Sequence, residues 1–161
     1  LMQKFTLDLK KFVFFLFGLA FLLFSGFSAA EDNRAFIHQW LNKFYNKDGQ
    51  TEALKRYELN ITNTGFCRYR KVYVNGKEEF FAFNLSRFKS MDYYGDINSG
   101  ELWLRTKNDD VIVQTRNDRQ GAIDSMSTYL VIPVKNIDED QLNELASRFK
   151  QLSQMGLAAN N

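Results

Sequence analysis

Along the chain the hydrophobic period changes twice. Phe36, Ile37, Trp40, Leu41, Phe44 and Tyr45 recur at helical spacing, one apolar stripe. That spacing predicts a helix whose free N–H groups Asp32 or Asn33 can cap and which Gly49 stops. From Leu54 to Val134 the period becomes two. Tyr57, Leu59 and Ile61 alternate with Glu58, Asn60 and Thr62, which predicts a half-buried strand ending at Asn63-Thr64-Gly65. Residues 66–74 and 77–88 flank Asn75-Gly76, a pair that tolerates the positive φ angles of a type I′ turn. The hairpin so predicted places Arg68 opposite Phe83 and Arg70 opposite Phe81. In that register neither of its faces is cleanly apolar, which implies a bulge, strong coiling or a face shared with solvent.

Asp92 to Gly100 reads as loop by composition, and residues 101–106 and 111–116 as a second hairpin across Lys107-Asn108-Asp109-Asp110. Val111, Ile112 and Val113 are consecutive and β-branched, so this strand is expected to be covered on both faces. Residues 127–134 form the most apolar strand after the N-terminal segment, with Pro133 expected near its end or at a sheet edge because proline has no N–H to donate. Asp138 and Gln141 have capping-box spacing, and Leu142, Leu145, Ala146, Phe149 and Leu152 make the stripe of a last helix ended by Gly156. Residues 157–161 are expected to fray.

This order makes the chain α+β. An N-terminal helix, a strongly bent antiparallel sheet or small open barrel of about six strands, and a C-terminal capping helix would bury both stripes. The order of elements from Leu54 to Leu152 resembles the pleckstrin-homology-like superfold. The resemblance implies successive hairpins closed by the last helix and carries over no ligand residue. A cystatin- or NTF2-like curved sheet holding a helix is the alternative.

The segment before these elements has another character. Lys4, Lys10 and Lys11 precede the apolar run of residues 12–27, which ends in Ser28-Ala29-Ala30. A basic region, an apolar region and a small-residue site are the parts of a secretory signal peptide, so residues 1–30 are expected to be removed after Ala30. Sixteen helical residues would span about 24 Å, short of the roughly 30 Å hydrocarbon core, which argues against a stable membrane anchor. The expected product is one globular domain, residues 31–156, secreted or periplasmic. Three of the 21 basic residues and one of the 19 acidic ones lie in the leader, so the remainder carries 18 of each. A neutral domain gives no global electrostatic reason to bind nucleic acid.

Candidate chemistry is sparse. His38 is the only histidine and sits on the flank of the first stripe, while Cys67 is the only cysteine and so has no partner within the chain. One of each cannot build a zinc site, and no cofactor or metal is expected. Asp96-Ile97-Asn98-Ser99-Gly100-Glu101 has alternating oxygen groups but puts glycine and glutamate where a calcium loop needs an oxygen ligand and glycine. Phosphate-binding and hydrolase-elbow motifs are missing. The densest polar feature is the run Arg68, Tyr69, Arg70, Lys71 and Tyr73, whose cations and rings could stack on a partner. The reading is therefore a non-enzymatic interaction module for a protein, peptide or cell-envelope partner, with this run as the binding residues. The alternative is a small-molecule binder holding an apolar or aromatic ligand between the sheet and the first helix.

Overall fold

The computed structural model describes residues 29–158. By its contacts the chain divides into two compact units, Leu1–Asp32 and Asn33–Asn161, and the first contributes only four described residues. The leader expectation therefore lies almost wholly outside the described residues.

Residues 29–44 are helical (α1), so Asp32 and Asn33 lie inside the helix rather than capping it. Asn33 is buried and serves the last helix instead, donating to Gln151 Oε1 at 3.0 Å and accepting from Arg148 Nη1 at 2.8 Å. The apolar stripe goes inward as expected: Ile37 and Leu41 are fully buried, with Trp40, Phe44 and Tyr45 nearly so. The helix ends before Gly49, which closes a short 3-10 turn, Lys47–Gly49.

Eight strands follow, in two antiparallel sheets rather than one bent sheet of six. They are β1 (Leu54–Ile61), β2 (Phe66–Tyr73), β3 (Glu78–Asn84), β4 (Phe88–Gly95), β5 (Gly100–Thr106), β6 (Val111–Arg116), β7 (Asp124–Ser127) and β8 (Tyr129–Val134). The larger sheet has the order β1-β2-β3-β6-β7 and the smaller β4-β5-β8; neither closes into a barrel. The expected hairpin of β5 with β6 does not form, because β5 pairs with β4 and β8 while β6 pairs with β3 and β7. What parts the two sheets is a break after β3. The Asn84 side chain accepts from Ser86 N–H at 2.9 Å, capping a 3-10 turn, Leu85–Arg87, that leads the chain into β4. Residues 92–95, expected as loop, belong to β4 and leave only 96–99 as the turn.

The hairpin register also differs, by one residue. Paired positions sum to 150, so Arg68 faces Ala82 and Arg70 faces Phe80. The loop holds three residues: Gly76 N–H donates to Tyr73 O at 3.1 Å, Tyr73 N–H donates to Lys77 O at 2.9 Å, and Gly76 alone takes a positive φ, 89°. A turn closed by one left-handed glycine replaces the type I′ turn, for which Asn75 would also need positive φ. A one-residue slip moves the β3 side chains to the opposite face relative to β2. Cys67, Tyr69 and Phe83 are fully buried on the inner face, whereas Arg68 stands exposed on the outer one.

Pro133 lies next to the end of β8, an edge strand of the smaller sheet, as expected. Its carbonyl accepts from Asn46 N–H at 2.9 Å, and Tyr45 bridges Val134, so the end of α1 is tied to β8. The last helix, α2 (Glu139–Ala158), runs past Gly156. Its capping box forms in both directions, Gln141 N–H to Asp138 Oδ1 at 2.8 Å and Asp138 N–H to Gln141 Oε1 at 3.2 Å. Phe149, fully buried, stacks on Phe88 with ring centroids 5.3 Å apart, which seats α2 against the start of β4. Among the described residues no helix is long and apolar enough to cross a membrane.

Candidate functional site

Strand alternation divides the run of Arg68, Tyr69, Arg70, Lys71 and Tyr73 between two faces. Tyr69, Lys71 and Tyr73 point inward, where the chain uses them itself. The Tyr69 and Tyr45 hydroxyls are 2.7 Å apart, and the Gln50 amide reaches both. Lys71 Nζ lies 2.6 Å from Glu79 Oε2 and 5.1–5.6 Å from the ring centres of Phe81, Tyr69 and Tyr73. The aromatic rings that could have stacked on a ligand thus surround the domain's own ammonium group. Tyr73 donates to Glu79 Oε2 at 2.8 Å, and Lys77 Nζ lies 3.0 Å from Glu79 Oε1.

Burial governs the protonation of this interior. It pushes the Tyr45 hydroxyl up to about 12 and drives Tyr69 and Tyr73 higher still, keeping all three neutral. Burial would raise the Glu79 carboxyl too, but the bonds from Lys71, Tyr73 and Lys77 outweigh it and hold that group below its ordinary value. Cys67 is free, fully buried, and pushed up to about 12 by burial, so its thiol is protonated at neutral pH.

Arg68 and Arg70 remain on the outer face of the larger sheet. They line an open cleft of about 430 Å³ with Glu58, Asn60, Glu78, Phe80, Gln114 and Arg116. The pairings explain the set: Glu58, Arg70, Phe80 and Gln114 stand in one row across β1, β2, β3 and β6, and Glu78 pairs with Arg116 in the next. Arg70 is neutralised, its Nη2 2.7 Å from Glu78 Oε2 and its Nη1 3.6 Å from Glu58 Oε1. Arg68 has only the Phe66 ring, 5.9 Å away, and neither Arg68 nor Arg116 makes an ion pair among the described residues. From sheet spacings these two arginines sit about 16 Å apart at Cα, two strands and two rows from each other.

A further row of this face reads Asn60, Arg68, Ala82, Ile112 and Met126. Ile112 is 36% and Met126 54% exposed, so this row runs from polar on β1–β2 to apolar on β6–β7. That corrects the expectation of β6 covered on both sides. Sequence reasoning missed Phe80, Gln114, Arg116 and the Ile112–Met126 pair as site residues, because Phe80 joins this face only in the slipped β2–β3 register, Gln114, Arg116 and Ile112 only through the β3–β6 pairing, and Met126 only through β6–β7.

Elsewhere, His38 is exposed, and Asp96 uses its carboxylate to accept from Asn98 and Ser99 N–H groups in its own turn. Among the described residues no group of three or more His, Cys, Asp or Glu could hold a metal ion. No protein-family model, curated protein or solved structure matches the chain.

Proposed function

We propose that this chain is an exported, non-enzymatic interaction module that receives a protein, peptide or cell-envelope partner on the outer face of its larger sheet. The observation that carries this reading is the open face itself, where Arg68 and Arg116 make no ion pair among the described residues and Ile112 and Met126 stand exposed on the same face. Single exposed side chains are ordinary, but apolar and cationic groups aligned on one open face suit a macromolecule with acidic and apolar elements. An extended segment with acidic side chains on one face, about four to six residues apart and an even number, would reach both arginines.

The small-molecule alternative receives less support. The space between α1 and the larger sheet, where that ligand would lie, is occupied by the chain's own packing. Tyr45 stacks on Tyr57 at 3.8 Å, and the Asn42 amide donates to Leu59 O at 3.1 Å. Export rests on the composition of residues 1–30. As to shape, a helix-capped shell of pleckstrin-homology-like kind is favoured by Phe149 stacking on Phe88, whereas the β3–β6 and β5–β8 pairings depart from a simple succession of hairpins.

The test is a panel of acidic, neutral and basic peptides of equal length, each with apolar residues between the charged ones. Selective binding of the acidic peptides, with chemical-shift changes on β2, β3 and β6, is expected. Equal binding of acidic and basic peptides, or changes confined to other strands, would refute the reading.

A further inference from the structure

A second groove lies between β4 and α2. Phe88, Lys89, Ser90 and Met91 form one wall, Ala146, Lys150, Ser153 and Gln154 the other, and Lys107 stands at the end; its volume is about 390 Å³. Four consecutive strand residues line one groove because β4 is irregular there. The register with β5 slips between Phe88 and Ser90, leaving Lys89 as the extra residue of a bulge, and β4 is an edge strand. Bulges of this kind re-aim a side chain, here turning a lysine toward the helix beside a phenylalanine.

The helix wall follows from spacing. Ala146, Lys150, Ser153 and Gln154 fall at offsets 0, 4, 7 and 8, one stripe over about 12 Å of helix. Four strand residues cover about the same length. The floor is apolar, with Phe88 only 7% exposed and Ala146 small enough to leave room.

Three lysines line this groove, and no carboxylate does. Lys107 Nζ donates to Ser86 O at 3.2 Å, and Lys89 and Lys150 make no ion pair among the described residues. Ser153 is 7% exposed, yet its hydroxyl has no hydrogen-bond partner among the described residues. A hydroxyl at the groove wall without a protein partner is available to a ligand. An apolar floor, a few convergent polar groups and a volume within the range of small-ligand sites make this unlike a solvated charged surface.

We propose that the groove between β4 and α2 binds a single-chain anionic amphiphile. Its carboxylate or phosphate head is held by Lys89, Lys107 and Lys150, and its apolar body lies on Phe88, Met91 and Ala146 beside the Ser153 hydroxyl. This site is separate from the arginine cleft and does not depend on the proposed partner binding there. The lysines come from a strand, a turn and a helix and line one short groove, which fits a free molecule better than a flat lipid surface.

The test is calorimetric titration of the full chain with octyl phosphate, alongside inorganic phosphate, octanol and vesicles containing anionic lipid. Octyl phosphate is expected to bind at least tenfold more tightly than either fragment. Lys89→Gln and Lys150→Gln should each weaken it about fivefold, the scale of one lost charge contact. Met91→Ala should weaken it and leave inorganic phosphate unaffected. Arg68→Ala with Arg116→Ala should change nothing, which separates this site from the cleft. Unfolding midpoints of the lysine variants should match wild type, since both side chains are exposed. Failure of octyl phosphate to bind, undiminished binding in the Lys89→Gln, Lys150→Gln double variant, or binding to anionic vesicles alone would overturn the proposal.

Discussion

Lys71 and Glu79 face each other across β2 and β3 at 2.6 Å, with side chains only 13% and 16% exposed. The pair explains why a run that reads as a binding surface is half internal. An ion pair placed inward needs further hydrogen bonds to offset its desolvation, and Tyr73, Lys77 and Gln50 supply them.

Acid should therefore destabilise the domain through Glu79. Its folded carboxyl lies below the ordinary value of 4.5, so the stabilisation is complete above that value and is lost as pH falls through the folded one. At neutral pH, Glu79→Gln should cost roughly 1–3 kcal/mol by leaving Lys71 unpaired. Urea unfolding at a series of pH values should show the gap between wild type and variant narrowing as the pH is taken down through the ordinary carboxylate value of 4.5 and below it. A gap independent of pH would remove Glu79 from the account.

The Cys67 thiol should be unreactive in the native state. It is fully buried and pushed up to about 12, so alkylation at pH about 8 should proceed only after denaturant is added.

The hairpin loop offers a test of register. Gly76 has φ 89° and open space where a Cβ would stand, so Gly76→Ala should cost about 1–2 kcal/mol from backbone strain alone. An Asn75→Gly change should bring no stabilisation, since Asn75 already sits at negative φ and its Oδ1 accepts from Lys77 N–H. Thermal unfolding of the two variants measures both.

Phe149 joins α2 to the strands. Truncation to alanine should cost about 3–5 kcal/mol, as for other buried aromatic residues, and it should expose the Phe88 face. Chemical denaturation of the variant measures the loss.

Much of this architecture is legible in the residue pattern, for reasons that are local. The α1 stripe, the Asp138–Gln141 capping box and the position of Pro133 each follow from spacing within one element. What is not local is hidden. The chain leaves the larger sheet after Asn84, whose side chain caps Ser86, and the next two strands, β4 and β5, pair in the other sheet. The same break separates β5 from β6 despite a turn that suits a hairpin. The slip of one residue at Gly76 then decides which half of the arginine-tyrosine run meets solvent. Arg116 could not be placed on the same face as Arg68 without the β3–β6 pairing, because 48 positions separate them in the chain.

The central claim rests on Arg68 and Arg116, which make no ion pair among the described residues. The most direct measurement is the affinity of an acidic peptide for wild type and for the Arg68→Ala, Arg116→Ala double variant, each at low and at physiological salt. Wild-type affinity should fall as salt rises, and the double variant should bind more weakly with a flatter dependence. Equal affinities and equal salt dependence in the two proteins would contradict the assignment of this face.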